Sequence, residues 1–276
     1  MSTQVVVVIG AGGIGQAIAR RQGSGRIVLL ADRNPDVLTA AAQALESAGH
    51  TVHTHPVDVA SRDSVHTLAH AAAQLGDIVN VVHTAGLSPV QATAEAVLAV
   101  DLVGVAIVLD EFGPVIAPGG SGLVVSSMAG HMRMGMPLTA EQEHALAVTA
   151  TDELLQLPFL GPDAVPNSGA AYGLSKRANH LRVQAAAIAW GDRGARVNSI
   201  SPGIILTPLA KDEMSGPSAA GYQAMIKQSA AGRVGTTDEI ATAAAFLLEA
   251  GFVTGSDLLI DGGVIAALTA GRLQLG

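Results

Sequence analysis

Tyr172 and Lys176 stand four residues apart in Ala170-Ala-Tyr-Gly-Leu-Ser-Lys-Arg-Ala-Asn179, at the start of a stretch rich in Ala and Leu. On a helix, positions i and i+4 share one face, so the phenol and the ammonium would point into the same space. A phenol with a pKa of about 10 is a poor base near neutral pH. An adjacent cation favours the phenolate and lowers that pKa, which suits the phenol to proton transfer. Alone, Tyr-x-x-x-Lys is a common pattern of solvated helix faces, so its meaning depends on the elements around it.

A second constellation lies near the N-terminus. Val5–Ile9 is a β-branched run that predicts a strand buried on both faces, and it feeds directly into Gly10-Ala-Gly12-Gly13-Ile14-Gly15. Glycines at 10, 12 and 15 permit a tight turn and let the backbone approach a pyrophosphate at the positive end of the following helix. Asp32 ends a second predicted strand, 26–31. A carboxylate there accepts hydrogen bonds from an adenosine ribose and repels a 2′-phosphate, which favours NAD over NADP. The neighbouring Arg33 is the one counter-signal, since a guanidinium can partner that phosphate.

Those residues need a scaffold, and the pattern supplies one. Predicted strands at 5–9, 26–31, 51–57, 78–83, 122–126, 196–200 and 257–260 alternate with helices at 16–22, 35–48, 61–75, 91–112, 172–190 and 236–249. This alternation predicts an α/β fold: a single Rossmann domain over 1–276 with a doubly wound, mostly parallel sheet and helices on both faces. Residues 131–168 break the rhythm. There, Thr139 and Gln142 form a capping box before one short helix, and a second is predicted over 151–157. Residues 208–229 read as a helical flap.

Composition narrows the function classes. The chain is 49% hydrophobic and 3% aromatic, with a net charge of -8 and no cysteine. The acidic balance argues against nucleic acid, and the lack of cysteine excludes disulfides and thiolate chemistry. No apolar run approaches the roughly 18 residues that cross a bilayer, and no signal-peptide pattern precedes Val5. The expectation is a cytoplasmic protein without membrane contact.

Taken together, the motifs resemble the short-chain dehydrogenase/reductase family along essentially the whole chain. Val57-Asp58-Val59 is similar to the segment that sets Asp58 and Val59 beside the adenine. His83-Thr84-Ala85-Gly86 stands where the family usually has Asn-Asn-Ala-Gly under the cofactor. Val124-Val-Ser-Ser-Met-Ala-Gly130 resembles the strand end bearing the catalytic serine, which points to Ser127. Tyr172-Gly-Leu-Ser-Lys176 is similar to the family's Tyr-x-x-x-Lys. Ser201-Pro202-Gly203-Ile-Ile205-Leu-Thr207 resembles the loop that holds the nicotinamide carboxamide.

The resemblance implies hydride transfer between a nicotinamide and a small-molecule alcohol or ketone. Tyr172 is then the general acid/base, Ser127 binds the substrate oxygen, and Lys176 holds the ribose and tunes the phenol. Asp101 occupies the fourth catalytic position, normally Asn. The glycine loop is one residue shorter than the family's, and the interval between Ser127 and Tyr172 is enlarged. Family members commonly form tetramers through two helices and the C-terminal strand, so the resemblance implies a homotetramer here, with a dimer as the alternative if the insertion disrupts one contact; the insertion could also act as a lid. Met128, Met132, Met134 and Met136 suggest an apolar pocket for an alicyclic, steroid-like alcohol. An NAD sensor without turnover is the alternative of a different class. No metal site is expected: the pairs His66/His70 and His53/His55 have no evident third ligand, and His131 reads as a solvated loop residue.

Overall fold

Every residue of the Val5–Ile9 run is buried because both faces of its strand are covered. Val5, Val7 and Ile9 face one apolar layer while Val6 and Val8 face the other. In the computed structural model, which describes residues 2–132, 137–161, 163–207 and 219–274, this run is β1 (Gln4–Ile9). It is joined by β2 (Ile27–Asp32), β3 (Thr51–Pro56), β4 (Asp77–His83), β5 (Ser121–Val125), β6 (Arg196–Pro202) and β7 (Asp257–Ile260). The seven strands make one sheet in the order β3-β2-β1-β4-β5-β6-β7, and every neighbouring pair is parallel. All seven predicted strands are present.

Helices α1 (Gly13–Gln22), α2 (Pro35–Ser47) and α9 (Thr237–Glu249) cover one face through Ile18, Leu38, Leu45, Ile240 and Leu247. Helix α3 (Arg62–Leu75), the helical run α4 (residues 94–112) and α7 (Ser168–Asp192) cover the other through Leu68, Val108, Phe112, Val183 and Trp190. Between α7 and α9 the chain forms α8 (Ala219–Gln228), and it closes with α10 (Val264–Thr269), which carries no sequence signal strong enough to predict it. From β1 the chain winds to β3 in one direction and from β4 to β7 in the other. The strand order therefore reverses between β1 and β4, and a crevice opens at their carboxyl ends.

Two local features depart from the predicted pattern. The expected single helix over 91–112 starts later, because the Thr93 hydroxyl accepts from Ala96 N–H as its cap. Its middle is π-helical over Leu98–Gly104, the stretch that holds Asp101. Such widened turns are rare and cluster at functional sites.

The inserted segment is built as its capping box predicts, with the Thr139 and Gln142 bonds opening α6 (Ala140–Val148), preceded by a short turn α5 (Ala129–Met132). Two 3₁₀ turns follow, at Thr151–Gln156 and Pro158–Leu160. Leu146, Leu154 and Leu160 bury against Val97, Leu102, Leu174 and Ala178, so the insertion lies on the outer faces of α4 and α7. The buried Arg182 fixes it there by donating to the carbonyls of Leu146 (3.2 Å) and Thr149 (2.9 Å), the open C-terminal end of α6. Two acidic residues of this segment are paired: Glu143 bridges to Arg177 at 2.8 Å and Asp152 to Arg62 at 3.1 Å. Among the described residues, no helix is long and apolar enough to cross a membrane.

Candidate active site

Helix α7 starts where Asn167 caps it, its Oδ1 accepting from Ala170 N–H at 2.9 Å. Tyr172 and Lys176 then fall on one face, as the spacing requires, with Lys176 Nζ 5.1 Å from the centroid of the phenol ring. Ser127 follows β5 and faces the same cleft. Its strand end is tied down on two sides: Ser126 Oγ donates to the Lys176 carbonyl at 2.9 Å, and Met128 N–H donates to the Pro202 carbonyl at 2.8 Å. Ser127 Oγ accepts from Ala129 N–H at 3.2 Å, a local turn that fixes the hydroxyl at the mouth of α5.

Asp101 joins this group from the π-helical stretch of α4. Its Oδ2 lies 3.2 Å from Lys176 Nζ, and the two side chains are 0% and 5% exposed. The contact is an ion pair rather than a well-directed hydrogen bond, since Oδ2 has no partner of good hydrogen-bond geometry. Oδ1 accepts from Leu87 N–H at 2.7 Å. Burial works against the charge on Lys176. The negative charges of Asp101 and the Tyr172 phenolate outweigh it, so the ammonium is held above its ordinary pKa. Gly86 is pressed against the pair, where an added Cβ would stand 3.4 Å from both carboxylate oxygens and from Nζ.

The glycine turn divides its work among three positions. Gly10, at φ +99°, has no room for a side chain: a Cβ would meet Ala85 N at 2.5 Å and Thr84 Oγ1 at 2.6 Å. At Gly15 a Cβ would lie 2.0 Å from the Gly10 carbonyl oxygen, so helix and turn pack backbone to backbone. Gly12 differs, because nothing lies within 4 Å of its Cβ position. It caps α1 without any side-chain hydrogen bond, and the first turn carries no acidic residue. That leaves open N–H groups and open space at a helix N-terminus, which fits a pyrophosphate. Thr84 buttresses the turn by donating to the Gly10 carbonyl at 2.8 Å, and Gly13 and Ile14 continue it.

Asp32 does more than the ribose reading supposes. Its Oδ2 accepts from Ala11 N–H and its Oδ1 from Asn34 N–H, both at 2.8 Å, so the carboxylate braces the glycine turn. Each oxygen keeps a second lone pair for a hydroxyl donor. Arg33 is exposed and lies 3.9 Å from Asp58, whose Oδ1 accepts from Ala60 N–H at 3.1 Å. Val59 is buried against Gly104. His83 is buried with neither ring nitrogen hydrogen-bonded among the described residues. Burial, with Lys176 adding, lowers its pKa to about 3 and keeps it neutral.

A cleft of about 660 Å³ joins these parts. Asp101, Ser127, Tyr172 and Lys176 line it together with Ile14, Thr84, Gly86, Pro202, Gly203, Ile205 and Thr207. Gly10, Gly12, Gly13, Gly15, Asp32, Arg33, Asp58, Val59 and Ala85 are not part of this lining. The rest of the wall is largely apolar: Leu87, Pro89, Met128, Met132, Tyr222 and Met225. Of these, the sequence pattern pointed to Met128 and Met132 and, through the 208–229 flap, to the segment of Tyr222 and Met225; Met134, Met136 and residues 208–218 of the flap lie outside the described residues. No described residue of 137–161 lines the cleft, whereas Met132, near the start of the inserted segment, does. Leu87 and Pro89 carry no motif; the bonds from Leu87 N–H to Asp101 and from Ser168 Oγ to the Pro89 carbonyl place them. The Gly12 geometry leads to a direct test: Gly12→Ala should leave the melting temperature within a few degrees but weaken nicotinamide-dinucleotide binding by at least tenfold, measured by calorimetric titration. Unchanged affinity would remove Gly12 from the phosphate site.

Comparison with known proteins identifies the family. A family model described as short chain dehydrogenase matches residues 4–139, and one described as Enoyl-(Acyl carrier protein) reductase matches 135–265. Short-chain dehydrogenase/reductase bsc3 of Alternaria brassicicola is 43% identical over 272 residues, 98% of each chain. D-threitol dehydrogenase of Mycolicibacterium smegmatis is 31% identical, covering 94% of this chain and 92% of its own. 3beta-hydroxysteroid dehydrogenase 2 of Eggerthella lenta is 30% identical, covering 94% and 93%. Among solved structures, a short-chain type dehydrogenase/reductase from Mycobacterium ulcerans superposes with a TM-score of 0.73 at 28% identity, over 96% of this chain and 90% of that one. Matched from end to end at this level of identity, the chain belongs to the short-chain dehydrogenase/reductase family, whose members are oxidoreductases that use nicotinamide cofactors.

Proposed function

We propose that the protein interconverts a secondary alcohol and a ketone with NAD, using Tyr172 as general acid/base. The observation that carries this reading is the meeting of Tyr172, Ser127, Lys176 and Asp101 in one cleft with the loop Pro202–Thr207. The bound cofactor supplies hydride transfer at the nicotinamide C4. In the oxidation direction Tyr172 takes the hydroxyl proton, and in the reduction direction it returns one to the forming alkoxide. Ser127 donates a hydrogen bond to the substrate oxygen, where charge changes most. Lys176 places a positive charge beside the phenol and holds the ribose hydroxyls. Asp101 keeps Lys176 charged in a buried position, where an unpaired ammonium would tend to lose its proton.

Asp32 supports NAD over NADP, because its carboxylate stands at the end of β2 beside the glycine turn. Arg33, turned toward Asp58, is the residue through which an NADP preference would act. The apolar wall of Leu87, Pro89, Met128, Met132 and Met225 supports an alicyclic, steroid-like alcohol rather than a polyol. The names of the relatives include both kinds of substrate, a hydroxysteroid and D-threitol.

A dimer is the assembly this chain supports best. The insertion covers part of the outer faces of α4 and α7 with Leu146, Leu154 and Leu160, while Ile188 further along α7 stays 74% exposed. Phe246 on α9 and Phe252 before β7 remain exposed, at 56% and 104%. The four-residue strand β7 is an open sheet edge, which suits a partner surface on that side. Light scattering coupled to size exclusion should give a mass of two chains; a tetramer would contradict this assignment of the insertion.

For the chemistry, NADH formation across secondary alcohols should be fastest with alicyclic substrates and lost in Tyr172→Phe by about 10²-fold or more, the scale of general acid–base catalysis. NAD affinity should stay within a few-fold. Substantial turnover by the Phe variant on a good substrate would refute the role given to Tyr172.

A further inference from the structure

Outside the catalytic cleft, His131, His180 and Asp257 converge from three separate elements, α5, α7 and β7. One ligating atom from each lies within 4.8 Å of the others, the one such convergence of three His, Cys, Asp or Glu among the described residues. His131 Nε2 is 2.7 Å from Asp257 Oδ2, and His180 Nε2 is 3.5 Å from Asp257 Oδ1. The two rings stand 4.7 Å apart between centroids, tilted by 45°. These separations bracket the roughly 3.3 Å between ligand atoms that metal–ligand bonds of about 2.0–2.1 Å produce around a tetrahedral ion.

The surroundings are those of a supported ligand set. Asp257 Oδ1 accepts from Ser199 Oγ at 2.6 Å and Ser201 Oγ at 3.0 Å, and Ser201 also contacts His180 Nε2 at 2.8 Å. Hydroxyls that hold a carboxylate in place are the outer contacts that orient metal ligands. His180 is buried. The nearest cations are compensated: Lys176 by Asp101 and Arg177 by Glu143. Gly130 leaves room beside the His180 ring, where a Cβ would meet Cε1 at 2.7 Å. His131, at 29% side-chain exposure, provides the way in.

We propose that His131, His180 and Asp257 form a binding site for a divalent first-row transition ion of the Zn²⁺ class, with a water completing the coordination. The protons that now bridge the imidazoles and the carboxylate occupy the place of the ion. His131 lies four residues after Ser127 and His180 four after Lys176. An ion here clamps the turn bearing Ser127 to the helix bearing Tyr172 and Lys176, and acts as a structural or regulatory brace rather than as a participant in hydride transfer. The proposal stands on the cluster alone and does not depend on the substrate or on the role of Tyr172.

The test uses the full-length, tag-free protein after chelator treatment and dialysis. Titration with Zn²⁺ at neutral pH should show one equivalent bound per chain and a raised melting temperature. Co²⁺ should give the visible ligand-field absorption of a four- or five-coordinate site. His131→Ala and Asp257→Asn should each abolish the stoichiometric uptake and the Co²⁺ spectrum. Ser199→Ala should weaken binding about 10–100-fold, as loss of an outer contact does. Tyr172→Phe should bind the ion like the unaltered protein. Absence of stoichiometric uptake, or uptake that survives both His131→Ala and Asp257→Asn, would overturn the site and leave the three residues as a hydrogen-bonded cluster.

Discussion

The buried ion pair between Asp101 and Lys176 holds the site together. Neither partner tolerates its surroundings alone, since a charge left without its partner at such depth costs about 3–5 kcal/mol. The pair therefore fixes three chain segments at once: the π-helical stretch of α4, the reactive face of α7, and the Gly86–Leu87 loop through the Leu87 N–H bond. It also sets the electrostatics. Lys176 favours a phenolate at Tyr172, and Asp101 opposes part of that field while keeping the ammonium charged.

The fold delivers these groups through a division of labour along each strand. Alternate residues of β1 and β2 anchor the two helical layers, and the carboxyl ends of β1, β4, β5 and β6 carry the functional loops. The glycine turn shows how tightly scaffold and site are joined. Gly10 and Gly15 are required by the chain's own packing, and Gly12 is the position left open toward a ligand. Asp32 braces the turn, accepting backbone N–H bonds from Ala11 and Asn34.

Features encoded within a few residues were legible in the sequence. The Val5–Ile9 run, the Thr139–Gln142 capping box and the Tyr172/Lys176 spacing each carry their own physical reason and reappear in the structure. Features that arise from convergence were not. Nothing local marks Leu98–Gly104 as π-helical, because that widened turn is set by what Asp101 meets across the fold. His131, His180 and Asp257 are separated by 49 and 77 positions and meet only once α5, α7 and β7 are packed. The insertion was visible as a break in rhythm. Its place on α4 and α7 depends on Arg182, a residue inside the motif helix whose partners lie more than thirty positions away.

The claim that the Asp101–Lys176 pair governs proton transfer at Tyr172 is tested most directly by the pH dependence of alcohol oxidation in Asp101→Asn. Asparagine keeps an acceptor for Leu87 N–H and removes the negative charge that holds the buried Lys176 protonated. The account predicts that the half-maximal point of the rising limb moves to higher pH, because an unpaired Lys176 loses its charge at this depth and with it its pull on the phenol. An unmoved profile, or one displaced to lower pH, would contradict it.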